Sequence, residues 1–270
     1  MSDGWRVSSG KWSSDPNSLG FGEEQTPYDS PSQNARAWTE AWAVEWLFCP
    51  ACGNDTIEQS SPNQPVFDFY CSICREQFEL KSKKGKFGGK VVDGAYRTMC
   101  ERLSSDNNPN FAFLQYSLER RRVLNLFVVP KQFLVPEIIE ERLPLPVTAR
   151  RAGWVGCNIR LKEVPLLGRV DMVRAEQPVP KEVVLEQWQK SLFLRDKSVE
   201  ARGWLVEVMA CCDAIGKRDF HLDEVYAFES KLSSIYPGNQ NVRPKIRQQL
   251  QVLRDAGYLE FIGRGFYRLR

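Results

Sequence analysis

The sequence predicts an α/β domain followed by a winged helix. Strand-like segments rich in aromatic and β-branched residues alternate with helical ones up to about residue 195. Two CxxC pairs sit among the first of those strands. The last 70 residues then change character, three helical stretches being followed by a basic hairpin, which is the element order of a winged helix.

Taken in order, residues 1–31 are rich in Ser, Gly, Pro, Asp and Asn without periodicity and read as a flexible extension, with Trp5 and Trp12 able to dock on the body. A helix is expected over 33–47, its apolar character supplied by Ala37, Ala41, Val44, Trp38, Trp42 and Trp46, with Ser32 as N-cap and Glu40 along it. PVFDFYC (65–71) and QFELKSK (77–83) are strands flanking a CSIC turn. Residues 92–104 read as a helix. FAFLQYS (111–117) and VLNLFVVP (123–130) are apolar enough for central strands covered on both faces. The proline-punctuated stretch 131–180 gives no assignment. Helices follow at 204–215, at 222–235 (Leu222, Val225, Phe228 and Leu232 at helical spacing) and at 244–257, where Pro244 opens the helix and Gly257 stops it. YLEFI (258–262), Gly263-Arg264-Gly265 and FYRLR (266–270) form the hairpin. The domains are therefore 1–31, 32–197 and 198–270, and no repeat is visible.

Hydrophobic residues make up 42% and charged residues 26% of the 270, as in ordinary globular proteins. The net charge of +3 matters less than its distribution. Residues 81–102 and 243–270 each carry seven basic side chains against two acidic ones. Two such clusters fit two contacts with one polyanion; the alternative is two solvated faces. No apolar run approaches the roughly 20 residues a membrane span needs, and no signal peptide is visible. A cytoplasmic protein with reduced thiols is expected. Its single histidine, His221, leaves a three-histidine zinc short of ligands, and its place in FHLDE suits a helix cap rather than a catalyst.

Chemistry concentrates between Cys49 and Lys81. Cys49-x2-Cys52-x18-Cys71-x2-Cys74 offers four thiolates in two tight turns, enough to close a tetrahedral structural Zn²⁺ site; a redox dithiol or buried free cysteines are the other readings. Cys100, Cys157, Cys211 and Cys212 lack such spacing and read as small buried hydrophobes. Asp68-x10-Glu79-x-Lys81 straddles the second cysteine pair. Strand alternation puts Glu79 and Lys81 on one face, and a hairpin would bring Asp68 to them. Two carboxylates bind Mg²⁺ through hard oxygens, with the backbone carbonyl of Leu80 as a further ligand and Glu40 as a remote supporting carboxylate. The lysine can orient or deprotonate a water and stabilise charge on a phosphorane. The bland reading is a surface strand with an ordinary E-x-K pair. Lys83 and Lys84, in the KSKKGKFGGK run, suit a loop gripping DNA phosphates.

The segments SQNARAWTEAW, CPACG, VFDFYCSICREQFELKSKKGKFGGKVVDGAY, DNNPNFAFLQY, PKQF, TARRAGWVGCNI and KIRQQLQVLRDAGYLEFIGRG recur in order over roughly residues 32–270, and in these the chain resembles the DpnI-like methyl-directed restriction endonucleases. The resemblance implies a PD-(D/E)xK nuclease domain carrying an inserted four-cysteine zinc site, then a DNA-binding winged helix. It further implies blunt, Mg²⁺-dependent cleavage of double-stranded DNA at GATC bearing N6-methyladenine. By motif, Asp68, Glu79 and Lys81 would be catalytic, and Cys49, Cys52, Cys71 and Cys74 would bind zinc. One departure stands: Phe67, not proline, precedes Asp68, and Pro65 lies three positions away.

Reading an N6-methyl group needs an apolar surface beside groups that match base edges. In the last helix Ile246, Leu250 and Leu253 would face inward, leaving Arg247, Gln248, Gln251 and Arg254 outward, Arg suited to guanine and Gln to adenine. In TARRAGWVG (148–156), Arg150 and Arg151 precede Trp154, which either packs on the methyl groups or belongs to the core. Arg264 in the wing would meet phosphate or the minor groove. The protein is expected to act as a monomer on adenine-methylated DNA. The competing readings are a zinc-ribbon and winged-helix transcription regulator that binds without cutting, and a degenerate nuclease that retains binding only.

Overall fold

The computed structural model describes residues 12, 19–21, 30–60, 67–105 and 108–270. In chain order these form α1 (Pro31–Trp46), β1 (Glu58–Gln59), β2 (Phe69–Tyr70), β3 (Gln77–Lys84), β4 (Val91–Ala95), α2 (Tyr96–Ser104), β5 (Asn110–Ser117) and β6 (Arg122–Val129). Then come β7 (Ile139–Glu141), β8 (Gly156–Ile159), β9 (Val170–Arg174), β10 (Gln177–Pro178), α3 (Lys181–Ser191) and α4 (Val199–Ala214). The chain closes with β11 (Asp219–His221), α5 (Leu222–Tyr226), α6 (Glu229–Ile235), α7 (Val242–Asp255), β12 (Leu259–Gly263) and β13 (Phe266–Leu269). Two compact units share them: Met1–Phe87, Pro109–Lys131 and Arg169–Gln189 make the first, and Gly88–Asn108, Gln132–Gly168 and Lys190–Arg270 the second.

The first unit is built on a seven-stranded sheet in the order β1-β2-β3-β5-β6-β9-β10. β3 and β5 run parallel, and every other neighbouring pair is antiparallel. As the composition of 111–117 predicts, β5 is buried on both faces from Asn110 to Leu114. Its Phe113 stacks on Phe127 of β6 with ring centroids 5.1 Å apart. α1 buries Ala35, Thr39, Trp42 and Ala43, while Ala41 and Val44, which add to its apolar character in the sequence, are exposed. Ser30, not Ser32, is the N-cap residue, and Pro31 takes the first helical position, where its fixed φ and missing N–H suit the start of a helix. Within the stretch read as a flexible extension, Trp12 is buried and donates its indole N–H to the Val179 carbonyl at 2.9 Å. Leu19 and Phe21 are also buried, and Gly20 bridges to Arg122. Single apolar side chains anchor a segment whose overall composition is polar. Trp5 lies outside the described residues, as do Pro65 and Val66.

The second unit holds two three-stranded sheets, β4-β8-β7 and β11-β13-β12. Residues 92–95, expected to open a helix, are strand: Val91 and Val92 pair with Ile159 and Asn158, and helix starts only at Tyr96. β-branched residues with a cross-strand partner override a helical reading. The expected helix 222–235 is two, α5 and α6, because the Phe228 amide turns to the Val225 carbonyl, one residue short of the α-helical partner. α7 begins at Val242, so Pro244 lies inside its first turn, and Gly257 ends it with φ 77°. Ile246, Leu250 and Leu253 are fully buried there. β11 adds an unforeseen third strand to the terminal hairpin, completing a winged helix. His221 caps α5: its Nδ1 accepts from the Asp223 amide while the Glu224 carboxylate accepts from the His221 amide. Of the unpaired-spacing cysteines, Cys157, Cys211 and Cys212 are buried as expected, whereas Cys100, on the rim of α2, is partly exposed.

Candidate functional site

The site belongs to the first unit and grows from the β2–β3 ladder. Phe69 pairs with Phe78 and Tyr70 with Gln77, so continuation of that register sets Asp68 opposite Glu79. The Asp68 amide donates to the Phe78 carbonyl at 2.9 Å. Its side chain turns back onto β3, where Oδ2 accepts the Leu80 amide at 2.7 Å. Glu79 and Lys81, two apart on one strand, pair at 2.5 Å between Oε1 and Nζ. The Lys81 ammonium also sits 5.4 Å from the centre of the Phe111 ring on the neighbouring β5.

α1 closes the site from another direction. Thr39 bonds Ser82 of β3 at 3.1 Å, which holds the helix against the strand. One turn of helix brings Arg36 and Glu40 together, and the Arg36 guanidinium reaches on to Asp68 Oδ1 at 2.8 Å. Gln59 Nε2 donates to the other Glu40 oxygen at 3.1 Å. Glu40, a remote candidate by sequence, is therefore linked to Asp68 through one side chain. Arg36 and Gln59 escaped the sequence reading, although the i,i+4 spacing of Arg36 and Glu40 marked at least that pair.

The two cysteine pairs adopt matching backbone turns. In the first, the Gly53 amide donates to the Cys49 carbonyl and the Cys49 amide to the Asn54 carbonyl, both at 2.8 Å. In the second, the Arg75 amide donates to the Cys71 carbonyl and the Cys71 amide to the Glu76 carbonyl, both at 2.9 Å. Each turn needs a left-handed residue at the same place: Gly53 with φ 77° and Arg75 with φ 63°. All four sulfurs lie within 4.8 Å of one another, with Cys49 3.5 Å from Cys74 and Cys52 3.6 Å from Cys71. A zinc with four thiolates at about 2.3 Å requires sulfurs about 3.8 Å apart, so this set fits a closed structural Zn²⁺ site. Burial pushes Cys49 far above the ordinary thiol range and Cys74 up to about 11. Burial also raises Cys71, but the backbone amides of Cys74 and Ile73 and neighbouring thiols outweigh it and bring it to about 7. The second turn is braced from below by the fully buried Asn110, which donates to Glu76 Oε2 at 2.9 Å and to the Gln77 carbonyl at 2.8 Å.

Lys83 and Lys84 are exposed at the far end of β3. In the second unit, Arg150 and Arg151 are exposed on a loop closed by the Leu145 amide to the Trp154 carbonyl at 2.9 Å. Trp154 is half-buried rather than a core residue; its ring lies against Gly156, with the Arg151 guanidinium 4.7 Å from its centre. Arg247, Gln248, Gln251 and Arg254 line the exposed face of α7, as its periodicity predicts, and Arg264 is exposed in the wing. The basic clusters are partly neutralised from within, however. Lys90 pairs with Glu140, Arg97 with Glu101, Arg243 with Glu229, Arg254 with Asp255 and Arg268 with Asp219.

No helix among the described residues is long and apolar enough to cross a membrane. Residues 21–197 match the family model DpnI, described as the Dam-replacing family, and residues 200–269 match DpnI_C, the Dam-replacing HTH domain. The first match takes in the paired carboxylates, Lys81 and the cysteine cluster. The second takes in the winged helix and marks it as a DNA-binding module.

Proposed function

This chain belongs to the DpnI, or Dam-replacing, family, and on that premise we propose that it is a type II methyl-directed restriction endonuclease. Its substrate is double-stranded DNA at GATC containing N6-methyladenine, and its reaction is Mg²⁺-dependent hydrolysis of the phosphodiester bond. The observation that supports this reading is the meeting of Asp68, Glu79 and Lys81 on one ladder, which a protein that only binds DNA does not need.

Asp68, Glu79 and the Leu80 carbonyl are the residues that would hold Mg²⁺; their hard oxygens suit it, and the bound ion supplies an acidified water and a polarised phosphate. Lys81 has the chemical work left to the chain. Its ammonium is aimed by the Glu79 carboxylate, so it can orient the attacking water and oppose charge building on the phosphorane. Glu40 supports Asp68 through Arg36. The zinc is structural, tying the turn at Cys71 and Cys74 that joins the Asp68 strand to the Glu79 strand.

Lys83 and Lys84 grip the DNA backbone. Arg150, Arg151 and Trp154 supply cations beside an apolar ring half open to solvent, a combination that fits a methylated base edge. Arg247, Gln248, Gln251 and Arg254 read bases from α7, and Arg264 meets phosphate or the minor groove. The enzyme works in the cytoplasm as a monomer, in a host whose own chromosome lacks this methylation.

Adenine-methylated and unmethylated plasmids incubated with Mg²⁺ or EDTA test the proposal. Only the methylated plasmid with Mg²⁺ should be cut. No cleavage of that plasmid would sink the nuclease reading in favour of a DNA-binding regulator. Equal cutting of both would remove the dependence on methylation.

A further inference from the structure

We propose that Arg36 is a further catalytic residue, one whose guanidinium binds the scissile phosphate; the proposal rests on the nuclease reading above. Its two partners are recessed, the Glu40 side chain being 15% and the Asp68 side chain 14% exposed, whereas that of Arg36 is 68% exposed. The Arg36 side chain is thus far more open to solvent than either carboxylate it bridges. A phosphodiester bound at the Asp68 carboxylate would lie within reach of this open side chain. A bridge whose task is only to hold two recessed carboxylates together gains nothing from so open a position.

Geometry and charge agree. Nε is fixed by Glu40 Oε1 and Nη2 by Asp68 Oδ1, two points that set the plane of the guanidinium before substrate arrives. An arginine carries five N–H groups in a fixed fork, and these contacts use two of them. The outer edge of such a fork matches two phosphate oxygens at once, which a lysine cannot do. Glu40, Asp68 and Glu79 would together repel a phosphate, and Arg36 and Lys81 are the cations hydrogen-bonded to them. Arg36 acts from α1 and Lys81 from β3, so each can take a different phosphate oxygen.

The test is a cycle between protein and DNA. A methylated GATC duplex carries, at the bond cut in the unmodified duplex, either the natural phosphate or a neutral methylphosphonate. Binding of each is measured in EDTA for the wild type and for Arg36→Ala. If Arg36 holds that phosphate, the methylphosphonate and Arg36→Ala each weaken binding by about tenfold, and both together weaken it little more than either alone. With Mg²⁺, the single-turnover rate of Arg36→Ala falls by about 10²–10³. Arg36→Lys, which keeps the charge without the fork, recovers only part of it. Additive losses in the cycle would overturn the proposal and leave Arg36 as a brace for Asp68. Circular dichroism establishes that each variant is folded, and Arg36→Gln replaces Arg36→Ala in the cycle if the alanine variant is not. Two controls separate the levels: a wild type that leaves the methylated duplex uncut would defeat the nuclease reading, and full activity of Asp68→Asn would defeat the site assignment, whereas an inactive Asp68→Asn with an additive Arg36 cycle defeats only the role of Arg36.

Discussion

Two clusters of opposite charge in this molecule are built from nearly the same parts. One sets Asp68 and Glu79 beside Lys81, with Arg36 joining Asp68 to Glu40. The other, in the second unit, holds Lys231 of α6 between Glu163 at 2.7 Å and Glu207 of α4 at 3.0 Å. Their surroundings differ. The Asp68, Glu79 and Lys81 side chains are each 14–21% exposed, so solvent, a cation or a phosphate can reach them. The Glu207 side chain is wholly enclosed, in a helix buried from Arg202 to Cys212. On the proposed reading, the same chemistry serves a reaction where it lies on a sheet ladder and joins elements where helices bury it. Residue types alone do not separate a reactive cluster from a structural one; access does.

Four experiments break or sharpen that contrast. The largest effect is expected from Cys74→Ser, which should lose zinc by elemental analysis and, with it, cleavage, because the turn joining β2 to β3 depends on that cluster. Full cleavage by a zinc-free variant would show the two sites to be mere neighbours. Asp68→Asn should lower single-turnover cleavage by about 10³ or more. Its melting temperature should stay within a few degrees of wild type, since the lost contacts are partly solvated.

Lys231→Met should do the reverse. It leaves Glu207 enclosed without its cation, at a cost of about 2–3 kcal/mol in urea unfolding, below that of a wholly buried pair because the lysine side chain is 35% exposed. Below its lowered melting point, cleavage should be close to normal. The smallest effect concerns pH. Burial, partly opposed by Lys231, raises the Glu207 carboxyl above its ordinary value. Between its unfolded and folded pKa the folded state holds more protons than the unfolded one, so this group makes stability fall as pH rises through that window. Glu207→Gln should flatten that part of the stability-pH profile, and an unchanged slope would show that Glu207 does not titrate there.

Much of the site was legible because its spacings are local. Two residues between cysteines make a metal-binding turn, and alternation along one strand puts Glu79 and Lys81 on the same face. The hairpin joining Asp68 to them needed only the CSIC turn. Illegible were the features that depend on distant pairing. Residues 92–95 read as helix until β8, more than sixty residues later, offers a ladder. Arg75 in the left-handed conformation cannot be told from an ordinary arginine until it repeats the turn made by Gly53. That Trp12 could dock was legible, but only the structure gives its acceptor, the Val179 carbonyl.

By itself, then, the sequence determined the four-cysteine set, the grouping of Asp68 with Glu79 and Lys81, the outward face of α7 and the order of a winged helix, all set by short-range periodicity and spacing. Only the tertiary structure decided that Arg36 reaches Asp68 across 32 positions and that Lys231 reaches Glu163 across 68. It also decided how the segments divide: 88–108 and 132–168 are compact with the winged helix, although the family match ends at residue 197. Such contacts depend on how elements pack after the chain has closed long loops, and no local pattern encodes which elements will meet.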